Sequence, residues 1–365
     1  MPADPELPPA ELESVFGTGA GRAAVSVEQV YEPVASASAG IWRVAHGGQP
    51  AILKVIAHSA AGHPNWQSGA DPTHWYYWRR EVLAYESGLL GSMRGGLRAP
   101  ACRLAAPRDD GGIALWLEDL RSTPGTAWTL ARYGIAARHL GHMQGAFLSG
   151  VPLPDHEWLS HDWLRSYLLQ RDADMHLVDD AALWADRRLA PWFADPPIAR
   201  VHAMRADQPR FLDALDALPR TLCHLDLHPA NLFGNAHEDE TAVIDWSFVG
   251  IGAIGEDAGN LVPDAVLDFH LDPVDLDELY ETIFAGYAAG LRDAGAPHAA
   301  DAARLGMAAT IAAKYAWIAP AILAAVAEDR VQLNRRPIEE SLQWWGPTVG
   351  FLLDRADEAR ALSRS

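Results

Sequence analysis

Apolar and polar positions follow two regimes along the chain. Between about residues 25 and 117, short apolar runs are separated by Gly, Pro and polar clusters, the pattern of strands joined by turns. Residues 25–34, 40–45, 51–56 and 113–117 are read as strands. Within this regime, residues 75–90 place Tyr77, Glu81, Ala84 and Tyr85 at helical spacings and predict a helix. After about residue 120 the period changes. Residues 130–148 put Ala136, Leu140, Met143 and Phe147 on one helical face. Residues 213–218 read as a helix end, and 261–365 as helical throughout. The first 14 residues, rich in Pro and Glu, predict a loose terminus. The result is an α+β chain with its strands early and its helices late.

Between the helix end near 218 and the helices from 261 lies a different kind of segment. Leu222-Cys223 is apolar. It runs into His224-Leu225-Asp226-Leu227-His228-Pro229-Ala230-Asn231, then Leu232-Phe233, a polar turn over 234–240, and a strand over 241–244 that ends on Asp245. The spacing is His-x-Asp-x-x-x-x-Asn with a strand-end Asp brought back beside it. Phosphoryl transfer is mainly positioning and charge neutralisation, and these residue types suit it. One Asp orients or accepts the proton of a hydroxyl, while an Asn and a second Asp hold Mg2+ on nucleotide phosphates. Mg2+ takes hard oxygen ligands and keeps several waters, so one carboxylate and one amide oxygen are a sufficient protein share.

Composition narrows the partners. The 365 residues suffice for two lobes. They include 48 acids against 29 bases, for a net charge of −19, which argues against nucleic acid and anionic membranes as partners. Two distant Cys, Cys102 and Cys223, predict a reduced, cytoplasmic protein without a zinc site. Residues 1–6 carry no leader pattern. Residues 306–327 are long and apolar but contain Lys314 and Pro320, and predict a buried, proline-kinked helix rather than a membrane span. Only two of the basic residues are Lys, Lys54 and Lys314. Lys54 sits inside the apolar run 51–56, where an ammonium needs anions. A small-residue turn, 35–40, precedes it and would let backbone N–H groups approach an anion.

The segment 222–246 resembles the aminoglycoside phosphotransferase and choline kinase-like superfamily, although Leu225 stands where that family often has Gly or Asn. The resemblance implies a bilobal, protein kinase-like fold. A nucleotide-binding N-terminal lobe would span 1–118 and a helical catalytic and substrate-binding lobe 119–365. It implies Asp226 as the catalytic residue, Asn231 and Asp245 as metal ligands, and Lys54, held by Glu81, on the phosphates. Ser36 and Ser38 would belong to the phosphate-covering turn. Glu118 and Leu120 would belong to the interlobe hinge that meets the base. His224 and Asp257 would support the loop, Asp257 as a helix cap, with Gly250, Gly252 and Gly255 making a flexible connection to it. Glu256, Asp264, Asp268, Lys314 and Trp317 are the candidates for the acceptor pocket. The implied cofactors are Mg2+ and ATP or GTP, and the partner a hydroxylated small molecule, with the protein a monomer or homodimer. The implied activity is phosphorylation of an antibiotic such as an aminoglycoside, or of a related metabolite. The alternatives are a housekeeping kinase of an amino alcohol, sugar or amino acid, and a nucleotide-binding pseudokinase with a regulatory role. Clustered aromatics at 62–78 are read as packing between the lobes.

Overall fold

A computed structural model describes residues 5–20, 25–31, 37–58, 66–171 and 174–364. Alternation along one strand organises its first part. Helix α1 (Pro9–Phe16) precedes strands β1 (Val25–Tyr31), β2 (Ser38–His46) and β3 (Gln49–Ile56). Helix α2 (Arg80–Glu86) and strands β4 (Leu97–Arg98), β5 (Cys102–Pro107) and β6 (Ile113–Glu118) follow. Five strands form an antiparallel sheet in the order β1-β2-β3-β6-β5. Successive side chains of β3 point to opposite faces. Ala51, Leu53 and Val55 join Trp42, Val44 and Trp116 in a core that α1 covers through Leu12. The other face carries Ile52, Lys54 and Ile56. Lys54 is paired across the ladder with Leu115 of β6, and Val82 of α2 packs on this side. This parity aims Lys54 at α2.

Two expectations are corrected here. The N-terminus is not loose over its described part. Leu7 and Leu12 are buried, and buried Glu11 accepts hydrogen bonds from Trp116 Nε1 at 2.7 Å and Arg108 Nη2 at 2.9 Å. The helix expected over 75–90 is only Arg80–Glu86. The carbonyls of His74 and Trp75 accept from the Arg80 guanidinium, and that of Tyr76 from Gly69 N–H, so none of the three is left for a helical ladder. Gly88, at φ +77°, ends the helix in the conformation that suits a residue without Cβ.

The second part is mainly helical. It begins with β7 (Thr123–Pro124), α3 (Leu130–Leu148), α4 (Trp163–Leu169), α5 (Ala181–Trp184), α6 (Ile198–Ala206) and α7 (Gln208–Ala217). Then come β8 (Arg220–Cys223), β9 (Leu232–Gly234), β10 (Thr241–Val243), β11 (Gly250–Ala253) and α8 (Glu256–Leu267). Helices α9 (Leu276–Asp293), α10 (Ala300–Lys314) and α11 (Ile318–Ala327), a small hairpin of β12 (Gln332–Leu333) and β13 (Arg336–Pro337), and α12 (Ile338–Leu362) complete the chain. The hairpin interrupts the stretch expected to be wholly helical. The apolar run 306–327 is two helices, not one kinked helix. The chain turns at Tyr315–Trp317, and Pro320 lies in the first turn of α11, where its missing N–H costs little. By length and composition residues 297–327 could cross a membrane, yet 83% of the apolar window is buried inside the protein.

Residues 250–253, expected to be part of a flexible glycine loop, are a buried strand paired with β8. A Cβ on Gly250 would stand 2.1 Å from the Ser160 carbonyl oxygen, and one on Gly252 2.8 Å from Cys223 Sγ. These glycines therefore permit close packing beneath the loop that follows β8, rather than motion.

Candidate active site

The loop 224–231 leaves β8, and the hairpin β9–β10 returns the chain to Asp245. Register in that hairpin pairs Val243 with Leu232, and Ile244 N–H donates to the Asn231 carbonyl at 3.0 Å. Asn231 and Asp245 are thereby held on adjacent chain segments. His224 fixes the same junction. Its Nδ1 accepts from Asp226 N–H at 3.3 Å, so its Nε2 carries the proton donated to the Ile244 carbonyl at 2.9 Å. Leu225 and Asp245 both have left-handed backbone, at φ +68° and +62°, which a side chain adopts only when surrounding contacts demand it.

At Leu225 those contacts come largely from Asp257. Its Oδ2 accepts from His224 N–H and from Gln144 Nε2, each at 2.8 Å, and its Oδ1 from Leu225 N–H at 2.7 Å. The expected cap is thus corrected. Asp257 lies inside the first turn of α8, which starts after Gly255 without a side-chain cap, and it braces the loop directly. Burial raises its pKa, opposed by nearby His224 and the three donors.

On the sheet side, Lys54 Nζ lies 2.6 Å from Glu81 Oε2 and 2.8 Å from Asp245 Oδ1. Burial works against charging Lys54, but the two carboxylates outweigh it and hold its pKa above the ordinary value. Ser247 Oγ donates to the same Asp245 oxygen at 2.6 Å. Arg80, beside Glu81, is fully buried and donates to the carbonyls of His74, Trp75, Trp158 and Ser247. It ties α2 to the segment after Asp245. Lys54, Glu81, Asn231 and Asp245 line one cleft of about 400 Å³, together with Glu118, Asp119 and Leu120.

The donor set suits a hard cation. Asn231 spends its Nδ2 on the Asp226 carbonyl at 3.0 Å, which leaves Oδ1 as its acceptor face. Asp245 Oδ1 is engaged by Lys54 and Ser247, and Oδ2 has no hydrogen-bond partner among the described residues. No group of three or more His, Cys, Asp or Glu among the described residues could hold a metal alone. A cation bound here would complete its shell with phosphate oxygens and water.

Asp226 faces a second cavity, of about 560 Å³, lined also by Asp264, Asp268, Lys314, Trp317 and Arg171. Its carboxylate has no hydrogen-bond partner among the described residues, which use only its backbone. Lys314 lies 3.2 Å from Asp264 Oδ2. Burial lowers its pKa, but Asp264, Tyr167 and Asp226 more than restore it. Arg171 donates to the Tyr167 hydroxyl at 2.9 Å, and its guanidinium lies 4.6 Å from the Trp317 ring centroid.

Glu256 is not in this cavity. It is buried behind the loop, accepting from Ala253 N–H at 2.9 Å and adjoining Gly252. Burial pushes its pKa up to about 7. The folded protein then binds more protons than the unfolded chain between about pH 4.5 and 7, so this group lowers stability as pH rises through that window. Glu256→Gln should therefore gain about 3 kcal/mol on the wild type between pH 4.5 and pH 8. Urea unfolding at both pH values measures it, and an unchanged difference would show that Glu256 does not titrate there.

Ser36 lies outside the described residues. Ser38 heads β2 with a buried hydroxyl that has no partner among the described residues. Glu118 turns its carboxylate to Arg98 at 2.7 Å, and its N–H to the Ala101 carbonyl, so it presents no side chain to a base. The aromatics at 75–76 pack on the segment after Asp245. Trp75 stacks on Phe248 with centroids 5.7 Å apart. Asp119, Gln144, Arg171 and Ser247 are not singled out by the sequence. Asp119 and Gln144 act through partners distant in the chain, Arg43 and Asp257, whereas Ser247 and Arg171 bond to near neighbours, Asp245 and Tyr167, and carry no pattern of their own. His228 was passed over as a spacer inside the motif. It is the one described residue lining both cavities.

A profile of the phosphotransferase enzyme family matches residues 42–300. Among solved structures, an amicoumacin kinase in complex with AMP-PNP, Ca2+ and Ami has a TM-score of 0.55 at 14% identity, over 93% of this chain and 89% of that one. A choline kinase from Cryptosporidium parvum Iowa II scores 0.51 at 12% identity, over 94% and 92%. A putative aminoglycoside phosphotransferase from Ralstonia eutropha JMP134 scores 0.51 at 12%, over 96% and 97%. At these identities the likeness is one of fold, and it is the bilobal α+β fold expected from the motif. No curated protein matches the sequence.

Proposed function

Because this chain belongs to the phosphotransferase enzyme family, we propose that it transfers the γ-phosphoryl group of ATP to a hydroxyl of a small, amine-bearing antibiotic or related metabolite. The observation that carries this reading is the placement of Asp226. Its unpaired carboxylate lines one cavity, while its own backbone carbonyl holds the Asn231 side chain that lines the other.

The nucleotide takes the cleft beneath the sheet. The Leu120 backbone, which has no hydrogen-bond partner among the described residues, is free to meet the base, and Lys54 meets the phosphates. Glu81 and Asp245 keep Lys54 charged and aimed. Asn231 and Asp245 would hold Mg2+, which supplies charge neutralisation on the phosphate oxygens. The acceptor hydroxyl lies against Asp226, which orients it and takes its proton as the oxygen attacks the γ-phosphorus and the bond to ADP breaks. Asp264 and Asp268 favour a cationic group on the acceptor, and about 560 Å³ is the size of a small-molecule site. An amino alcohol or amino sugar kinase of primary metabolism fits the same two carboxylates, and acceptor identity separates the two readings.

The test is a mass-spectrometric screen with Mg2+ and ATP, and separately GTP. The acceptors are aminoglycosides, other hydroxylated antibiotics, sugars and amino alcohols. A product heavier by one phosphate with the wild type, absent with Asp226→Ala, is expected with ATP. Product formed equally by the variant would sink the assignment.

A further inference from the structure

Phosphoryl transfer between two cavities requires the group to cross a threshold, and the residue at that threshold is His228. It lines the cleft that holds Lys54, Asn231 and Asp245, and also the cavity that holds Asp226 and Asp264. Its backbone is fixed, since its carbonyl accepts from Asn231 N–H at 2.9 Å and Pro229 follows it. Its ring, by contrast, makes no hydrogen bond among the described residues, and Nδ1 is buried without a partner. Neither ring nitrogen is therefore committed to a partner among the described residues, and the ring lines both cavities.

Charge shows what the ligand group is. The phosphoryl group in flight spreads negative charge over three equatorial oxygens. On the nucleotide side Lys54 faces it. On the acceptor side Asp226, Asp264 and Asp268 would repel it, and the nearest ammonium, Lys314, is tied to Asp264. An N–H donor is needed where the two cavities meet, and the imidazole is the side chain placed there.

We propose that His228 is a further catalytic residue, whose ring N–H donates a hydrogen bond to an equatorial oxygen of the phosphoryl group as it passes from nucleotide to acceptor. This rests on the phosphotransferase reading above. No bond to His228 forms or breaks. The donor stabilises charge that is exposed only between the two cavities, so it acts on the transition state rather than on nucleotide binding.

The experiment compares the full-length wild type with His228→Ala, His228→Gln and Asp226→Ala. Turnover is measured with Mg2+-ATP, both with water as acceptor and with the acceptor returned by the screen. Affinities are measured for AMP-PNP, for Mg2+-ADP, and for Mg2+-ADP with aluminium fluoride, a planar mimic of the phosphoryl group. His228→Ala is expected to lower turnover about 10²-fold and to weaken the aluminium fluoride complex by a similar factor. AMP-PNP and ADP affinities should stay within about twofold, because they involve no in-flight phosphoryl group. His228→Gln, which keeps an N–H donor, or added imidazole with His228→Ala, should recover part of the loss. Turnover of His228→Ala within twofold of wild type overturns the proposal. So does an equal loss in AMP-PNP affinity and turnover with no rescue, which marks a purely structural role. A wild type with no turnover above Asp226→Ala in either assay overturns the phosphotransferase reading itself, and this inference with it.

Discussion

Asp226→Asn is expected to lower turnover about 10³-fold while AMP-PNP affinity stays within about threefold of wild type. The substitution is nearly isosteric, and the groups that shape the loop are not in the Asp226 side chain. Asp226 N–H is held by His224 Nδ1, and the Asp226 carbonyl holds Asn231. The neighbouring peptides are held by Asp257. The amide therefore sits where the carboxylate sat and leaves the nucleotide cleft unchanged. What is lost is the acceptor for the hydroxyl proton, on a carboxylate that spends no oxygen on hydrogen bonds among the described residues. Turnover on the acceptor from the screen and calorimetric titration with AMP-PNP read the two effects separately. Activity within tenfold of wild type would remove Asp226 from the chemistry. A parallel loss of affinity would make its role structural.

How much of this was legible in the chain depends on how far apart the interacting residues lie. The segment 222–246 was readable because its chemistry is local. Spacing fixes which residues share the loop, and a polar turn between apolar runs fixes the return to Asp245. Lys54 was readable because a lone ammonium in an apolar strand has few explanations, and strand parity then aims it at α2 and Glu81. The failures share a different cause. Glu256 was expected at the acceptor, and only the packing of β11 against β8 sends it behind the loop. Its neighbour Asp257 does support the loop as expected, through backbone N–H groups rather than as a helix cap. Glycines 250 and 252 read as hinges because sequence shows what glycine permits but not what stands beside it. The helix near residue 80 was overestimated because Arg80 takes carbonyls that a periodic pattern assigns to a ladder. His228 occupies a motif position that carries no pattern of its own, and its placement between two cavities is a property of the folded surface.

The second large effect is expected at Asp245. Asp245→Ala should lower turnover by at least about 10²-fold and, unlike Asp226→Asn, should abolish the difference in AMP-PNP affinity measured with and without Mg2+. Asp245 joins three functions that are separate elsewhere in the site. Its Oδ1 receives Lys54 and Ser247, its Oδ2 remains available to a cation, and its left-handed backbone is clamped through Ile244 to His224 and Asn231. Burial works against its ionisation, but Lys54 and the Ser247 hydroxyl hold its pKa below the usual carboxylate range, so it stays charged across the working pH. On the proposed assignment, removing the side chain would leave Asn231 as the remaining protein ligand for Mg2+, and it would leave Lys54 paired with Glu81 alone, no longer aimed at the phosphates it is proposed to hold. Asp245→Asn separates these losses. The amide oxygen can still receive Lys54 but carries no charge for the metal, so this variant should keep its metal-free nucleotide affinity and lose the Mg2+-dependent part. If Asp245→Ala retains the full Mg2+ dependence of AMP-PNP binding, the cation is held elsewhere, and the pairing of Asn231 with Asp245 as its ligands is wrong.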